Sequence, residues 1–135
     1  MKKIILLLAF SNIAFTQNIK SNKDVEKVLD KLHLYAAEAN AKYIDLFADD
    51  AVFFGTDISE RWPKVEFSKY ATDRMSSGTG WTYFMKERNI YFSNDHKTAW
   101  FDEILTNKGY GEFRGTGVLK RVGTQWKIAQ YNLLL

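Results

Sequence analysis

The order of elements predicts an α+β domain: helix, strand, helix, then a four-strand meander. Three observations carry this. From residue 98 onward the chain divides into TAWFDEILT, EFRGTGVLKR and QWKIAQYNLLL, all rich in β-branched and aromatic residues. The breaks between them, NKGYG and VGT, hold Gly with Asn, Lys or Thr, as tight turns require. Over 24–47, apolar residues recur at spacings of three and four, the stripe of an amphipathic helix.

The elements follow in order. Residues 1–16 read as a signal peptide: Lys2 and Lys3 precede an apolar core over 4–10, and Ala14-Phe15-Thr16 offers a cleavage site before Gln17. The apolar run is too short to span a bilayer, which takes about 20 residues. Export to the periplasm or beyond is therefore expected. Residues 17–23 are polar and expected to form a loose leader, and 24–135 a single domain. The first helix has its stripe at Val25, Val28, Leu29, Leu32, Tyr35, Ala36, Ala39, Tyr43, Leu46 and Phe47, and Asp49-Asp50 is expected to end it. A short strand over 51–54 stops at Gly55. Pro63 suits the first turn of a second helix running to about residue 75, with Phe67, Tyr70 and Ala71 inward. SSGTG breaks the chain before a long strand over 81–92, and SNDH turns it into the meander.

Composition narrows the function. Without Lys2 and Lys3 the formal charge falls from +3 to +1, and no concentrated basic patch points to nucleic acid. With no Cys there is neither a disulfide nor thiolate chemistry, so an exported domain must rely on its hydrophobic core. His33, on the polar side of the first helix, and His96, in a turn, have no ligand neighbours at metal spacing. No phosphate-binding glycine loop or nucleophile elbow is present, so neither metal nor cofactor is expected.

Pairing the strands on paper sorts their side chains, because these alternate between faces. A two-residue turn at Asn94-Asp95 sets Glu87 opposite Asp102. A four-residue loop over 107–110 sets Trp100 opposite Gly117, Asp102 opposite Gly115 and Glu103 opposite Arg114. A turn at Gly123-Thr124 sets Leu119 opposite Ile128 and Gly117 opposite Gln130. One face then carries Trp81, Tyr83, Met85, Glu87, Trp100, Asp102, Ile104, Phe113, Leu119, Trp126, Ile128, Gln130 and Asn132, floored by Gly115 and Gly117. This face, mostly apolar with a few converging polar groups, reads as a pocket wall. The other carries Arg88, Phe101, Glu103, Arg114, Val118, Tyr131 and Leu133 and suits a surface covered by a second subunit. A bulge exchanges the faces beyond it.

The segments AWFDE, GTGVL and WKIAQYNL, with GTDISERWPKVEFSKY at 55–70, resemble SnoaL-like proteins of the nuclear transport factor two-like superfamily. The resemblance extends over about 24–135. It implies a cone: a strongly curved antiparallel β-sheet wrapped around N-terminal helices, with a cavity between them and dimerisation through the sheet. That superfamily holds isomerases, cyclases, dehydratases and non-catalytic binding modules, so the fold does not choose among them.

Asp102 is the leading candidate for chemistry: on an apolar pocket face its pKa rises, and with Glu87 opposite, the two carboxylates share a proton and act as acid and base. Tyr35, Tyr43 and Tyr83 are candidate ligand contacts as buried phenols, the role such a group has in ketosteroid isomerases of the resembling superfamily. Trp100, Gln130 and Asn132 complete the wall, and Asp57 either lines the mouth or caps the SERWP turn. The expected product is an exported homodimer holding a small, largely apolar molecule without catalysis. The alternatives are a cofactor-independent isomerase, dehydratase or cyclase using Asp102, and a protein-interaction module.

Overall fold

The computed structural model describes the backbone of residues 2–135 and the side chains of residue 13 and residues 15–135. The signal segment expected over 1–16 lies almost entirely outside the described side chains. No helix among the described residues is long and apolar enough to cross a membrane.

Helix α1 (Lys2–Ala37) buries Val25, Leu29, Leu32 and Ala36, the inner part of the expected stripe. Residues 17–23 are not a loose leader but continue this helix. Ser21 stands one turn before Val25 on the same face and is buried with it. The helix stops nine residues short of Leu46, its expected last turn. Ala39 adopts a left-handed φ of 53°. Asn40 then caps a 3-10 turn (Ala41–Leu46), its side chain accepting from the Lys42 N–H at 3.0 Å. The backbone of Gly80-Trp81 crosses the open helix end, and the Trp81 N–H donates to the Ala36 carbonyl at 2.9 Å. A side chain at Gly80 would collide with that carbonyl, so glycine is required by the close approach.

Strand β1 (Phe47–Phe54) begins earlier than expected, and Asp49 and Asp50 lie exposed within it rather than ending a helix. It pairs with a short strand absent from the sequence reading, β2 (Arg61–Pro63). Helix α2 (Lys64–Ser76), with Pro63 just outside its first turn, buries Phe67, Ala71 and Met75 at a spacing of four. The meander is β3 (Phe84–Phe92), β4 (Thr98–Asn107), β5 (Gly111–Val122) and β6 (Gln125–Leu134). The sheet order is β2-β1-β6-β5-β4-β3. It curves around the helices as expected but is mixed, not antiparallel throughout, because β1 and β6 run parallel. The crossover from β1 to β6 includes α2 and the meander, ample length for a parallel return. The core fills the hollow: Leu29, Ala71, Ala99, Leu119 and Ile128 have no exposed surface.

The register decides which side chains enter the hollow. Only three residues, 108–110, connect β4 to β5, so Asn107 pairs Gly111. The Asn107 side chain closes this loop by accepting from the Gly109 and Tyr110 N–H groups at 2.8 and 3.2 Å, and Gly111 takes a φ of 87°. Trp100 therefore pairs Val118, Asp102 pairs Thr116 and Glu103 pairs Gly115, one residue away from the expected register. The inward side of β5 is as expected, so the slip turns β4 over: Ala99, Phe101, Glu103 and Leu105 are buried. A bulge in β6 has the same effect there. Leu119 pairs Ile128 as expected, but Val118 pairs Gln130 and Gly117 pairs Tyr131, which leaves Ala129 unpaired. Beyond that point Tyr131 faces inward and Gln130 outward. The turn into β4 spans four residues, 94–97, rather than two, and the register it starts brings Arg88 opposite Glu103; a third irregularity, at Lys86, shifts β3 only on the far side of Glu87.

Candidate functional site

Between the helices and the sheet lies a cavity of about 450 Å³, the size of a small-molecule site. Its aromatic wall joins Trp62 on β2, Phe67 and Tyr70 on α2, and Trp81 and Tyr83 before β3, with Tyr43 and Phe113. The rings pack in sequence: Trp62 on Tyr70 at 5.4 Å, Tyr70 on Trp81 at 6.0 Å, Tyr43 on Phe67 at 6.0 Å. Exposed Thr56, Tyr110 and Leu135 edge its mouth.

At one wall stands a buried polar cluster centred on Glu103, which is 1% exposed. Its Oε1 accepts from the Tyr131 hydroxyl at 2.9 Å and contacts His33 Nε2 at 2.7 Å. Its Oε2 accepts from Arg88 Nε at 2.9 Å, and Arg88 Nη1 continues to Asp30 at 2.7 Å. Burial alone would raise the Glu103 pKa; the hydrogen bond and charge of His33, with those of Arg88, outweigh it and hold the carboxyl below its ordinary value. Glu103 is thus an ionised acceptor, so His33 Nε2 carries the proton between them, and in the neutral imidazole Nδ1 is the acceptor nitrogen. Nδ1 has no hydrogen bond to the protein among the described residues, and His33 and Tyr131 both line the cavity. Burial and then the Glu103 charge push the Tyr131 phenol well up, so it stays protonated. Gly115 makes the cluster possible: a Cβ there would stand 2.5 Å from the Tyr131 hydroxyl oxygen and 3.0 Å from Glu103 Cγ.

Tyr43 and Tyr83 line the cavity as expected, and neither hydroxyl bonds to the protein among the described residues. Burial raises the pKa of both; for Tyr43 the neighbouring Tyr83 adds to it, and for Tyr83 the Arg74 charge opposes it. Both therefore remain hydrogen-bond donors at neutral pH.

The other expected site residues lie elsewhere. Asp102 is on the outer face, its side chain 32% exposed, accepting from Asn89 at 3.2 Å and pairing Arg114 at 3.5 Å. Glu87 is exposed and pairs Ile104, so the two carboxylates share no pocket. Trp100 is 45% exposed and stacks on Tyr91 outside the cone. Gln130 and Asn132 face outward because of the β6 bulge. Asp57 caps its turn, accepting from the Ser59 N–H at 2.8 Å and from the Ser59 hydroxyl. Tyr35 packs against the core from α1 and is not part of the cavity lining.

The residues missed were His33, Arg88, Glu103, Tyr131 and Arg74. A signal for His33 was present: it follows Leu29 by four and precedes Ala36 by three, which sets it beside the buried stripe. Nothing short of the true register could bring Glu103 and Tyr131 inside. Among the described residues no three His, Cys, Asp or Glu side chains gather as a metal group.

A family model described as a SnoaL-like domain matches residues 25–133. The chain belongs to the SnoaL-like family. No curated protein matches this SnoaL-like chain in sequence. Among solved structures it is similar to a Novosphingobium aromaticivorans protein provisionally named a scytalone dehydratase. That pair has a TM-score of 0.73 at 12% identity, covering 88% of this chain and 86% of the other. A provisionally named aromatic ring hydroxylase from the same organism gives 0.70 at 14% identity, covering 87% and 90%. A nuclear transport factor two-like protein of unknown function from Pseudomonas putida KT2440 gives 0.69 at 15% identity, covering 83% and 84%. At such identities the likeness establishes the cone fold, and chemistry must be argued from the cavity itself.

Proposed function

We propose that this SnoaL-like protein is a cofactor-independent proton-transfer enzyme of the isomerase or dehydratase class, acting on a small, largely apolar carbonyl compound. One observation carries the reading: inside the cavity His33 Nε2 sits 2.7 Å from the buried, ionised Glu103. Glu103 is saturated by three donors and cannot itself reach a ligand, so it acts as a positioning residue. It orients the imidazole and stabilises the cation formed when Nδ1 takes a proton, the role a carboxylate has in any carboxylate–histidine pair. Nδ1 removes the proton next to the substrate carbonyl, and the enolate oxygen is met by the protonated phenols of Tyr43 and Tyr83. Imidazolium then returns the proton to a second carbon, completing an isomerisation, or to a departing hydroxyl, completing a dehydration. The structural neighbour provisionally named a scytalone dehydratase lends this reading a relative of the same reaction class.

The test is solvent-deuterium exchange of a two-ring enolisable ketone, 1-tetralone, followed by proton NMR. The wild-type protein is expected to accelerate exchange at the carbon beside the carbonyl, and His33→Gln to lose about 100-fold or more of that rate. If 1-tetralone binds, by saturation-transfer NMR, and no exchange is accelerated, binding without catalysis replaces this reading.

Export and a homodimer belong to the same proposal. The basic and apolar pattern of 1–16 supports export, and so do Ile13 and Phe15, each 66% exposed and left unpacked by the domain. N-terminal sequencing of protein from its host should begin at Gln17; an intact Met1 contradicts it. Exposed Phe84, Tyr91 and Trp100 on the outer sheet support pairing of two copies there. Trp100→Glu should then convert a sedimenting dimer to monomer, and a wild-type monomer contradicts the pairing.

A further inference from the structure

We propose that Arg74 is an anion subsite of the cavity and that the ligand is a planar, ring-containing carboxylate. The inference rests on the proposed function only in sharing its cavity.

The cavity lining contains three ionisable side chains besides its tyrosines: His33, Glu60 and Arg74. His33 is held by Glu103, and Glu60 accepts from the Asp57 N–H at 3.2 Å near the mouth. Arg74 pairs with no carboxylate among the described residues. Arg88 contrasts with it, bonded to both Glu103 and Asp30. The Arg74 guanidinium lies 4.8 Å over the Trp81 ring and uses one of its five N–H donors, Nη2 to the Gly80 carbonyl at 3.2 Å. Its Nε is buried and has no partner. Arg74 is half-buried, and a guanidinium partly withdrawn from water with a buried N–H unpaired is costly; stacking on indole offsets only part of that cost.

The position of this charge gives it a use. Arg74 projects from α2 among Tyr70, Trp81 and Tyr83, and its field reaches Tyr83, whose ionisation it favours against burial. A planar ring seated on the aromatic wall would bring a carboxylate edge-on to the guanidinium fork, a geometry in which two parallel N–H bonds form. The fork thus selects a planar oxyanion over a neutral group of equal size, and the indole beneath it holds the fork flat. The aromatic wall takes the ring, and His33 is left for the reacting carbon.

The experiment compares 2-naphthoate with its methyl ester by isothermal titration calorimetry on the full-length domain. Wild-type protein should bind the carboxylate about 10- to 100-fold more tightly than the ester, the range for a charge-assisted bond in a desolvated site. Arg74→Gln should remove that preference, bringing the carboxylate and ester affinities together, and Arg74→Lys should keep only part of it. Arg114→Gln, which removes a cation on the outer face, should retain the full preference. Equal wild-type affinity for acid and ester, binding of neither, or an undiminished preference in Arg74→Gln overturns the subsite. The wild-type comparison stands even if a variant fails to fold. Carboxylate preference without catalysed deuterium exchange leaves the subsite intact and removes only the proton-transfer reading.

Discussion

Asp102 and Glu103 are neighbours in the chain and opposites in the fold. Asp102 stands outside the sheet between Asn89 and Arg114, partly wet. Glu103 stands inside, where His33, Arg88 and Tyr131 each hydrogen-bond one of its two oxygens. Two carboxylates one residue apart thus differ entirely in environment, and it is environment that makes an acid useful. Alternation along β4 makes them opposites, and the loop after Asn107 decides which one faces in.

Removing each acid sharpens the contrast most. Glu103→Ala leaves the Arg88 charge and the His33 donor buried without their acceptor, and should cost about 3–5 kcal/mol in urea denaturation. Asp102→Ala removes a half-exposed pair at 3.5 Å and should cost within about 1 kcal/mol. Comparable losses at the two sites break the comparison.

A smaller effect is expected from the floor of the cluster. Gly115→Ala puts a methyl group against the Tyr131 hydroxyl and Glu103. It should cost about 1–3 kcal/mol by overpacking. Gly109→Ala, whose new methyl meets only the Asn107 side chain at 3.4 Å, should stay within about 0.5 kcal/mol. Thermal unfolding of the two variants side by side reads the difference.

Smaller again is the hydroxyl itself. Tyr131→Phe keeps the ring stacked near Phe53 but removes one donor from a carboxylate that retains two. A loss of about 1–2 kcal/mol is expected by urea denaturation.

The acid limb of stability gives the least absolute effect and a clear sign. The folded Glu103 pKa lies below its ordinary value, so its contribution is present above the unfolded value of about 4.3 and is lost as pH falls through the folded one. Glu103→Gln should therefore flatten the decline of stability below about pH 4. Asp57 and Asp95, lowered first by the Ser59 and Ser93 hydroxyls, are fully exposed and contribute the same slope to the wild type and the variant.

The fold was legible because it depends on coarse signals. The stripe from Val25 to Ala36, the Pro63 helix start and the glycine-marked turns survive an error of a residue or two. The pocket depends on parity, where one residue inverts the answer. Asn107 looks like a loop residue in NKGYG, yet it is the last residue of β4 because its side chain closes the turn from within the strand. Ala129 has nothing in its identity to mark a bulge, yet it sends Tyr131 inward and Gln130 outward. Gly115 and Gly117 read as the floor because small residues there serve either register. Tyr43 and Tyr83 keep their place against the cavity for a similar reason, since one sits on the 3-10 turn and the other precedes β3, both upstream of the slips.

The most direct test of the buried dyad is a carboxyl-carbon NMR titration of the wild-type protein with Glu103 assigned. The account predicts that the Glu103 resonance titrates below the ordinary glutamate value, as an ionised acceptor of His33, Arg88 and Tyr131 must. A Glu103 that titrates above that value would contradict the account, and one still protonated at neutral pH would make the assignment of His33 Nδ1 as base wrong.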